Sequence, residues 1–206
     1  MTITYLIIGF TVLISFFSFN NATAISRMIM NPYLVSTRGE YYRFLTSGFI
    51  HKDFTHLLFN MFSFYFFGQN VEYAFKQIFD GFGGTYFIIL YVMAIVVSDL
   101  PTFFKHRNNP GYNSLGASGG VAAVIFASII LSPLEKICIY FFCQPGFILG
   151  TLYLAFSFYM GRKSNDGINH DAHLYGALFG LLFCAVLYPT SLPRFIEQIS
   201  SWQFFN

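Results

Sequence analysis

The chain has 206 residues, enough for one domain of ordinary size. Hydrophobic residues make up 55% of it and charged residues only 10%, against roughly 25% charged residues in a soluble domain. These charges are too few to cover a water-facing surface, so the excess of apolar residues must face lipid. The net charge of +2 comes from scattered lysines and arginines and gives no indication of nucleic-acid binding.

Six apolar segments approach the length of about 20 residues that a helix needs to cross a bilayer. They are residues 3–19, 54–71, 82–98, 115–134, 146–161 and 172–188. None alternates in the manner of a membrane β-barrel strand, and in lipid a helix satisfies its own backbone hydrogen bonds. The sequence therefore predicts an all-α membrane protein with six transmembrane helices, forming a single domain over residues 1–206.

The first apolar segment is followed by Ala-Thr-Ala at residues 22–24, which resembles a signal-peptide cleavage site. No positive residue precedes the segment, although a charged start is part of that signal, so we interpret it as a span. The long connection at residues 20–53 mixes apolar patches with arginines and predicts a lobe at the membrane interface. The cysteines are odd in number and lie in or beside apolar segments, which predicts free buried thiols.

Polar side chains inside three of these segments are the candidate functional residues, because such residues are costly in a membrane helix. His56 and Asn60 are four residues apart and lie on one helical face. Ser118 lies in Gly-Ala-Ser-Gly-Gly, and His173 lies near the start of the last segment, followed by Gly176. Taken singly, each has an ordinary explanation as a helix-packing or interfacial residue.

Together, these residues supply what acyl transfer requires: a nucleophile, a base and donors for an oxyanion. A neutral imidazole beside Ser118 could accept its proton, and glycines flanking the serine would let a substrate approach. If a helix begins just after Ser118, the unpaired amides of its first turn would point at the site. The side chains of His56 and Asn60 could add further donors.

At these positions the chain resembles the rhomboid family of intramembrane proteases over residues 42–188. His56 and Asn60 match its His-x-x-x-Asn helix, residues 116–119 match its Gly-x-Ser-Gly motif, and residues 172–176 match its Ala-His-x-x-Gly motif. The three motifs occur in the family's order and on the expected segments, which makes the combination specific although each motif alone is weak.

The resemblance implies a catalytic dyad of Ser118 and His173, without a third acid. It implies an oxyanion site built from His56, Asn60 and the Ser118 backbone N–H, with Gly116 shaping the substrate cleft. The implied substrates are transmembrane segments of other membrane proteins, entering near the fifth span, with residues 162–169 as a movable cap. No metal, cofactor or nucleic acid is implied.

Further positions follow from the same resemblance. Arg43 and Glu72 match structural residues of the family. Tyr42 replaces a usual tryptophan, and Ala122 stands where many members have an aromatic residue packed on the base. With alanine at position 122, the sequence does not indicate which side chain packs on the His173 ring.

The expected location is a cytoplasmic membrane of bacterial type, with the site opening on the outer side. The charge distribution conflicts with that orientation. Eight of the eleven lysines and arginines lie in the first, third and fifth connections, which the positive-inside rule would place in the cytosol. We follow the resemblance.

Three other functions are alternatives for this set of residues. The first is an inactive rhomboid-like protein that binds transmembrane segments without cleaving them. The second is a soluble-type serine hydrolase with a Gly-x-Ser-x-Gly elbow, which would require a strand before Ser118, where a turn-rich loop is predicted instead. The third is a metal transporter or metalloprotease using His51, His56, His170 and His173, but the His-Glu-x-x-His pattern is absent.

Overall fold

The computed structural model describes residues 2–139, 141–163 and 166–203. Within these ranges the chain forms ten α-helices and one two-stranded β-hairpin. In chain order they are α1 (Ile3–Phe19), α2 (Ala22–Met28), α3 (Pro32–Arg38), α4 (Arg43–Thr46), α5 (Phe54–Ile78), α6 (Gly83–His106), α7 (Ser118–Leu131), β1 (Lys136–Ile139), β2 (Phe142–Pro145), α8 (Gly146–Lys163), α9 (His170–Leu187) and α10 (Ser191–Ser201).

Helix α7 lies at the centre of the fold, packed against α5, α6 and α9. Ten of its 14 residues are buried, because its small and apolar side chains allow neighbours to approach on every side. At 1.5 Å per residue it is about 21 Å long, shorter than the roughly 30 Å hydrocarbon core of a bilayer. Ser118 is its first residue.

Helix α9 approaches α7 through glycines spaced four residues apart. A Cβ added at Gly176 would collide with the carbonyl oxygen of Gly119, and one at Gly180 with that of Ala123. Small residues at this spacing allow two helix backbones to come into contact, and this contact brings the first turns of α7 and α9 together.

Two buried charged residues anchor the outer parts of the bundle. Glu72 on α5 accepts hydrogen bonds from the amides of Ile3 and Thr4, at 3.0 and 2.8 Å, and from Lys76 Nζ at 2.6 Å. Arg43 donates from Nη1 to two carbonyl oxygens of the chain around α2 and from Nε to Glu40 at 2.6 Å. In both cases the hydrogen bonds connect separate parts of the chain, which is what structural residues do.

Residues 20–53 form a lobe of three short helices joined by turns, where the sequence predicted a lobe without assigning helices. Capping side chains explain why α2 and α3 begin where they do. The side chain of Asn21 accepts from the Ala24 amide and that of Asn31 accepts from the Leu34 amide, which satisfies amides that a helix start leaves unpaired.

The prediction of free thiols was wrong for two of the three cysteines, and the hairpin departs from an all-α fold. Cys138 and Cys143 lie directly opposite each other in the antiparallel register of β1 and β2 and form a disulfide. The odd cysteine count gave no information on pairing, whereas opposite residues of a hairpin are close enough to bond. Cys184 is free and buried.

All six apolar segments form helices. The first has its predicted bounds, residues 3–19, and the other five differ from theirs at one or both ends. The fourth is shorter than predicted at both ends, because residues 115–117 precede the helix in an irregular loop and the helix ends at Leu131. In the part of the chain that the structure describes, two helical stretches, Asp80–His106 and His170–Leu187, are long and apolar enough by themselves to cross a membrane, while α1 and α7 are apolar but shorter. The amphipathic helix α10 was not predicted, since its few apolar residues are separated by polar ones and form no apolar run.

Candidate active site

The loop before Ser118 is held by the interfacial lobe. Ser114 exchanges two backbone hydrogen bonds with Met30, each 3.0 Å long, and the Gly116 amide donates to the Ser47 carbonyl at 2.9 Å. Helix α7 begins at Ser118, and its first backbone bond runs from Val121 to Ala117. Ser118 thus lies in the first turn, where amides have no partner within the helix, and the helix begins at this residue where the sequence predicted a start just after it.

Gly116 has a backbone conformation that other residues avoid, with a φ of +121°. A Cβ at this position would lie 2.6 Å from Cε1 and 2.9 Å from Nε2 of His56. The imidazole of His56 therefore rests on the backbone two residues before the nucleophile candidate. The absence of a side chain at Gly116 is what makes this approach possible.

His56 and Asn60 lie in the first two turns of α5. The Asp53 side chain caps the helix by accepting from the His56 amide at 2.8 Å. Asn60 is buried and donates one side-chain N–H to the His56 carbonyl at 2.9 Å. An amide side chain has two N–H donors, so this bond leaves the other N–H of Asn60 for a further acceptor.

His173 lies in the first turn of α9, and the residues before it fix that turn. The Asn169 side chain accepts from the Ala172 amide at 3.1 Å, and the Asn169 carbonyl accepts from the His173 amide. Within the described residues, no hydrogen bond joins the Ser118 hydroxyl to the His173 imidazole. Catalytic hydrogen bonds are often long before a substrate binds, and the two residues lie on either side of the contact between α7 and α9.

A small cavity of about 20 Å³ lies beside Ser118, large enough for about one water molecule. Its lining includes Gly116, Ser118, Asp99 and Asn169. Asp99 is a buried carboxyl of α6, and its Oδ1 accepts from Asn169 Nδ2 at 3.1 Å. Sequence reasoning missed Asp99 because it follows the predicted span by one residue.

A larger cleft of about 470 Å³ lies at the opposite end of α7. Ser128, Ser132 and Arg194 are among its lining residues, and it contains none of the predicted site residues. Its position separates it from the chemistry implied by the three motifs, so we assign the candidate active site to the Ser118 end of α7.

His51 is a second residue that sequence reasoning did not place in the site, although it was considered as a metal ligand. Its Nε2 lies 3.4 Å from the Ala117 amide and its Nδ1 lies 2.8 Å from Ser15 Oγ. Burial lowers the pKa of His51 to about 3, with a further lowering by nearby His56. The ring is therefore neutral at physiological pH.

The four histidines weighed as metal ligands do not form one group. His51 and His56 are paired edge to face near α5, while His170 and His173 are paired on α9. Across residues 2–139, 141–163 and 166–203, no cluster of three or more His, Cys, Asp or Glu side chains could hold a metal ion.

Comparison with known proteins gives matches to one family. A family model described as the rhomboid domain matches residues 38–190. The chain is 29% identical over 167 residues to "RHOMBOID-like protein 12, mitochondrial" of Arabidopsis thaliana, covering 73% of this chain. It is 30% identical over 195 residues to "Rhomboid-related protein 1" of Caenorhabditis elegans, covering 89% of this chain.

A third relative is a Bacillus subtilis (strain 168) protein named "Putative rhomboid protease YdcA", 29% identical over 146 residues and 70% of this chain. The matched regions span 49% of the plant relative, 49% of the nematode relative and 66% of the bacterial one. The fold and its apolar helices are those of a helical integral membrane protein. The chain belongs to the rhomboid family, as the three motifs indicated.

Proposed function

We propose that this protein is an intramembrane serine endopeptidase that cleaves transmembrane segments of other membrane proteins through a dyad of Ser118 and His173. The observation that carries the proposal is the backbone contact of α9 with α7 at Gly176 and Gly119. It holds the first turn of α9, with His173, against the first turn of α7, with Ser118. A nucleophile and a base on two separate helices are useful only if the helices meet at this point.

In the proposed reaction, His173 removes the proton of the Ser118 hydroxyl as the serine oxygen attacks a substrate carbonyl carbon. The resulting oxyanion receives hydrogen bonds from the Ser118 amide and from the side chains of His56 and Asn60. Protonated His173 then gives its proton to the leaving amine, and an ester to Ser118 remains. A water molecule, deprotonated by His173, hydrolyses this ester and restores the serine.

The proposal includes a bundle with six membrane spans, formed by α1, α5, α6, α7, α8 and α9. The short α7 would leave Ser118 below the membrane surface, in a site that water reaches from one side. We retain the proposed opening on the outer side. The relatives come from a plant, a nematode and a bacterium, and they give no support for a specifically bacterial cytoplasmic membrane. Part of the proposed cap, residues 164 and 165, lies outside the described residues.

The test is cleavage of a generic transmembrane substrate by the detergent-purified protein, with Ser118→Ala and His173→Ala as variants. Ser128→Ala is a matched control, because Ser128 lies on the same helix and lines the cleft at its other end. We expect the wild type and the control to cleave and both dyad variants to be inactive. A correctly folded wild type that neither cleaves nor labels at Ser118 with a fluorophosphonate probe would favour a non-cleaving protein that binds membrane segments.

A further inference from the structure

His51 connects helix α1 to the loop that precedes Ser118. The side chain is 1% exposed, and Ser15 and Ala117, which it contacts, are fully buried. His51 Nε2 faces the Ala117 amide at 3.4 Å, and His51 Nδ1 faces Ser15 Oγ at 2.8 Å. Ser15 Oγ in turn lies 3.0 Å from the carbonyl oxygen of Phe49, to which it donates.

These contacts define which nitrogen of His51 carries the proton. An amide N–H can only donate, so Nε2 must be the unprotonated nitrogen that accepts from Ala117. Nδ1 then carries the hydrogen and donates to Ser15 Oγ. That direction agrees with the Ser15 hydroxyl giving its own hydrogen to Phe49, so all three bonds are satisfied in one arrangement.

Ala117 is the N-cap residue that directly precedes α7, and its amide has no acceptor within that helix. From the contacts of this amide we propose that His51 is a positioning residue for Ser118. In this role, His51 orients the turn from Ala117 into α7 and thereby the nucleophile hydroxyl and the Ser118 amide, and Ser15 of α1 fixes its tautomer. The inference rests on the proposed protease function, since it assigns a role within that site.

The neutral state of the ring is part of this arrangement. Burial and the neighbouring His56 lower the pKa of His51, while Asp53 acts in the opposite direction. A protonated ring would turn an N–H toward the Ala117 amide and replace an acceptor with a second donor. Ser15 also lies outside residues 38–190, the part of the chain that the rhomboid model matches, so helix α1 would contribute to the site from beyond the matched region.

The experiment compares four variants of the full chain in detergent. His51→Ala removes the acceptor of the Ala117 amide, and His51→Gln places an amide oxygen near the position of Nε2. Ser15→Ala removes the hydroxyl that accepts from Nδ1 and so fixes the tautomer. Ser18→Ala is the matched control, because Ser18 is an equally buried serine of α1 whose hydroxyl bonds only to the Ser15 carbonyl. The measurements are kcat and KM for cleavage, and amide hydrogen exchange of the segment around Ala117.

We expect His51→Ala to lower kcat about 100-fold, the loss typical of a small misplacement of a reacting group, with KM unchanged. The kcat of His51→Gln should lie between those of His51→Ala and the wild type. The kcat of Ser15→Ala should fall less than that of His51→Ala, and the kcat of Ser18→Ala should equal the wild-type value. Amide hydrogen exchange at the start of α7 should be fastest in His51→Ala, slower in His51→Gln and Ser15→Ala, and as slow as in the wild type in Ser18→Ala.

The inference is overturned if His51→Ala keeps its kcat and its slow exchange, or if His51→Gln is as impaired as His51→Ala in both measurements. Failure of the protease proposal looks different, because then the wild type itself does not cleave. The exchange measurement still decides in that case whether His51 holds the loop before α7.

Discussion

The phenol ring of Tyr153 lies nearly parallel to the imidazole of His173, with 6.4 Å between the ring centroids and 23° between the planes. The resemblance to the rhomboid family implied an aromatic residue where this chain has Ala122. In this fold Ala122 is buried in a cluster with Ala177, and Tyr153 packs against that cluster from α8. An aromatic ring beside His173 is thus supplied by α8.

Removing this ring should reduce the proposed activity without abolishing it. Aromatic pairs contribute roughly 0.5–1.5 kcal/mol beyond their buried area, so we expect Tyr153→Ala to lower kcat by about 2- to 10-fold. Tyr153→Phe keeps the ring and should stay close to the wild type. The control is Tyr159→Ala, which removes an exposed ring of the same helix. Equal activity of Tyr153→Ala and Tyr159→Ala would contradict a supporting role.

The sequence predicted the helical segments and the three motifs because both depend on local patterns. Apolar runs mark α1 and α5 to α9, and the spacing of His56 and Asn60 follows from helical periodicity. Tyr153 and His51 could not be assigned, since each acts through a contact with a residue distant in the chain. An aromatic residue in an apolar helix, or a buried histidine in a loop, carries no signal of its own about its partner.

Gly116 offers a sharp test of the loop before the nucleophile. Alanine there must adopt a φ of +121° and meet the His56 ring at 2.6 Å, so the loop or the ring has to shift. We expect Gly116→Ala to lower kcat at least about 100-fold, as a displacement of about 1 Å in an active site can do. The control is Gly111→Ala, whose added Cβ would meet only the Asn109 side chain at 3.5 Å. A fully active Gly116→Ala protein would argue against the site as described.

Glu72 should affect stability and not catalysis. Replacing it with alanine leaves the amides of Ile3 and Thr4 without their acceptor, and each unsatisfied buried donor costs about 1–3 kcal/mol. We therefore expect Glu72→Ala to lower the free energy of unfolding in detergent by about 2–4 kcal/mol, with cleavage per folded molecule preserved. Glu197→Ala, at an exposed carboxyl of α10, is the control. An unchanged unfolding transition in Glu72→Ala would show that α1 is anchored in another way.

Gly180 tests whether the α7 and α9 contact positions the dyad. A leucine side chain there would collide with the Ala123 backbone of α7, and backbone atoms cannot move aside as a flexible side chain can. Gly180→Leu should separate the two helices, lower the unfolding temperature and remove activity, because His173 moves with α9. Gly9→Leu is matched in its substitution but meets open space on α1, and it should behave like the wild type. If both leucine variants keep full stability, the close packing is not required for the fold.

The pH dependence of stability should reveal the buried neutral state of His51. The pKa of this group is lowered from its usual value of 6.5 to about 3 in the folded chain, so the unfolded chain binds a proton more readily. The contribution of His51 to stability is therefore fully present above pH 6.5 and declines as the pH falls toward 3. Thermal unfolding in detergent, followed between neutral and mildly acidic pH, should show a smaller acid-induced loss in His51→Gln than in the wild type, because glutamine does not titrate. The two proteins differ at position 51 alone, so parallel pH profiles would mean that His51 does not remain neutral and buried in the folded chain.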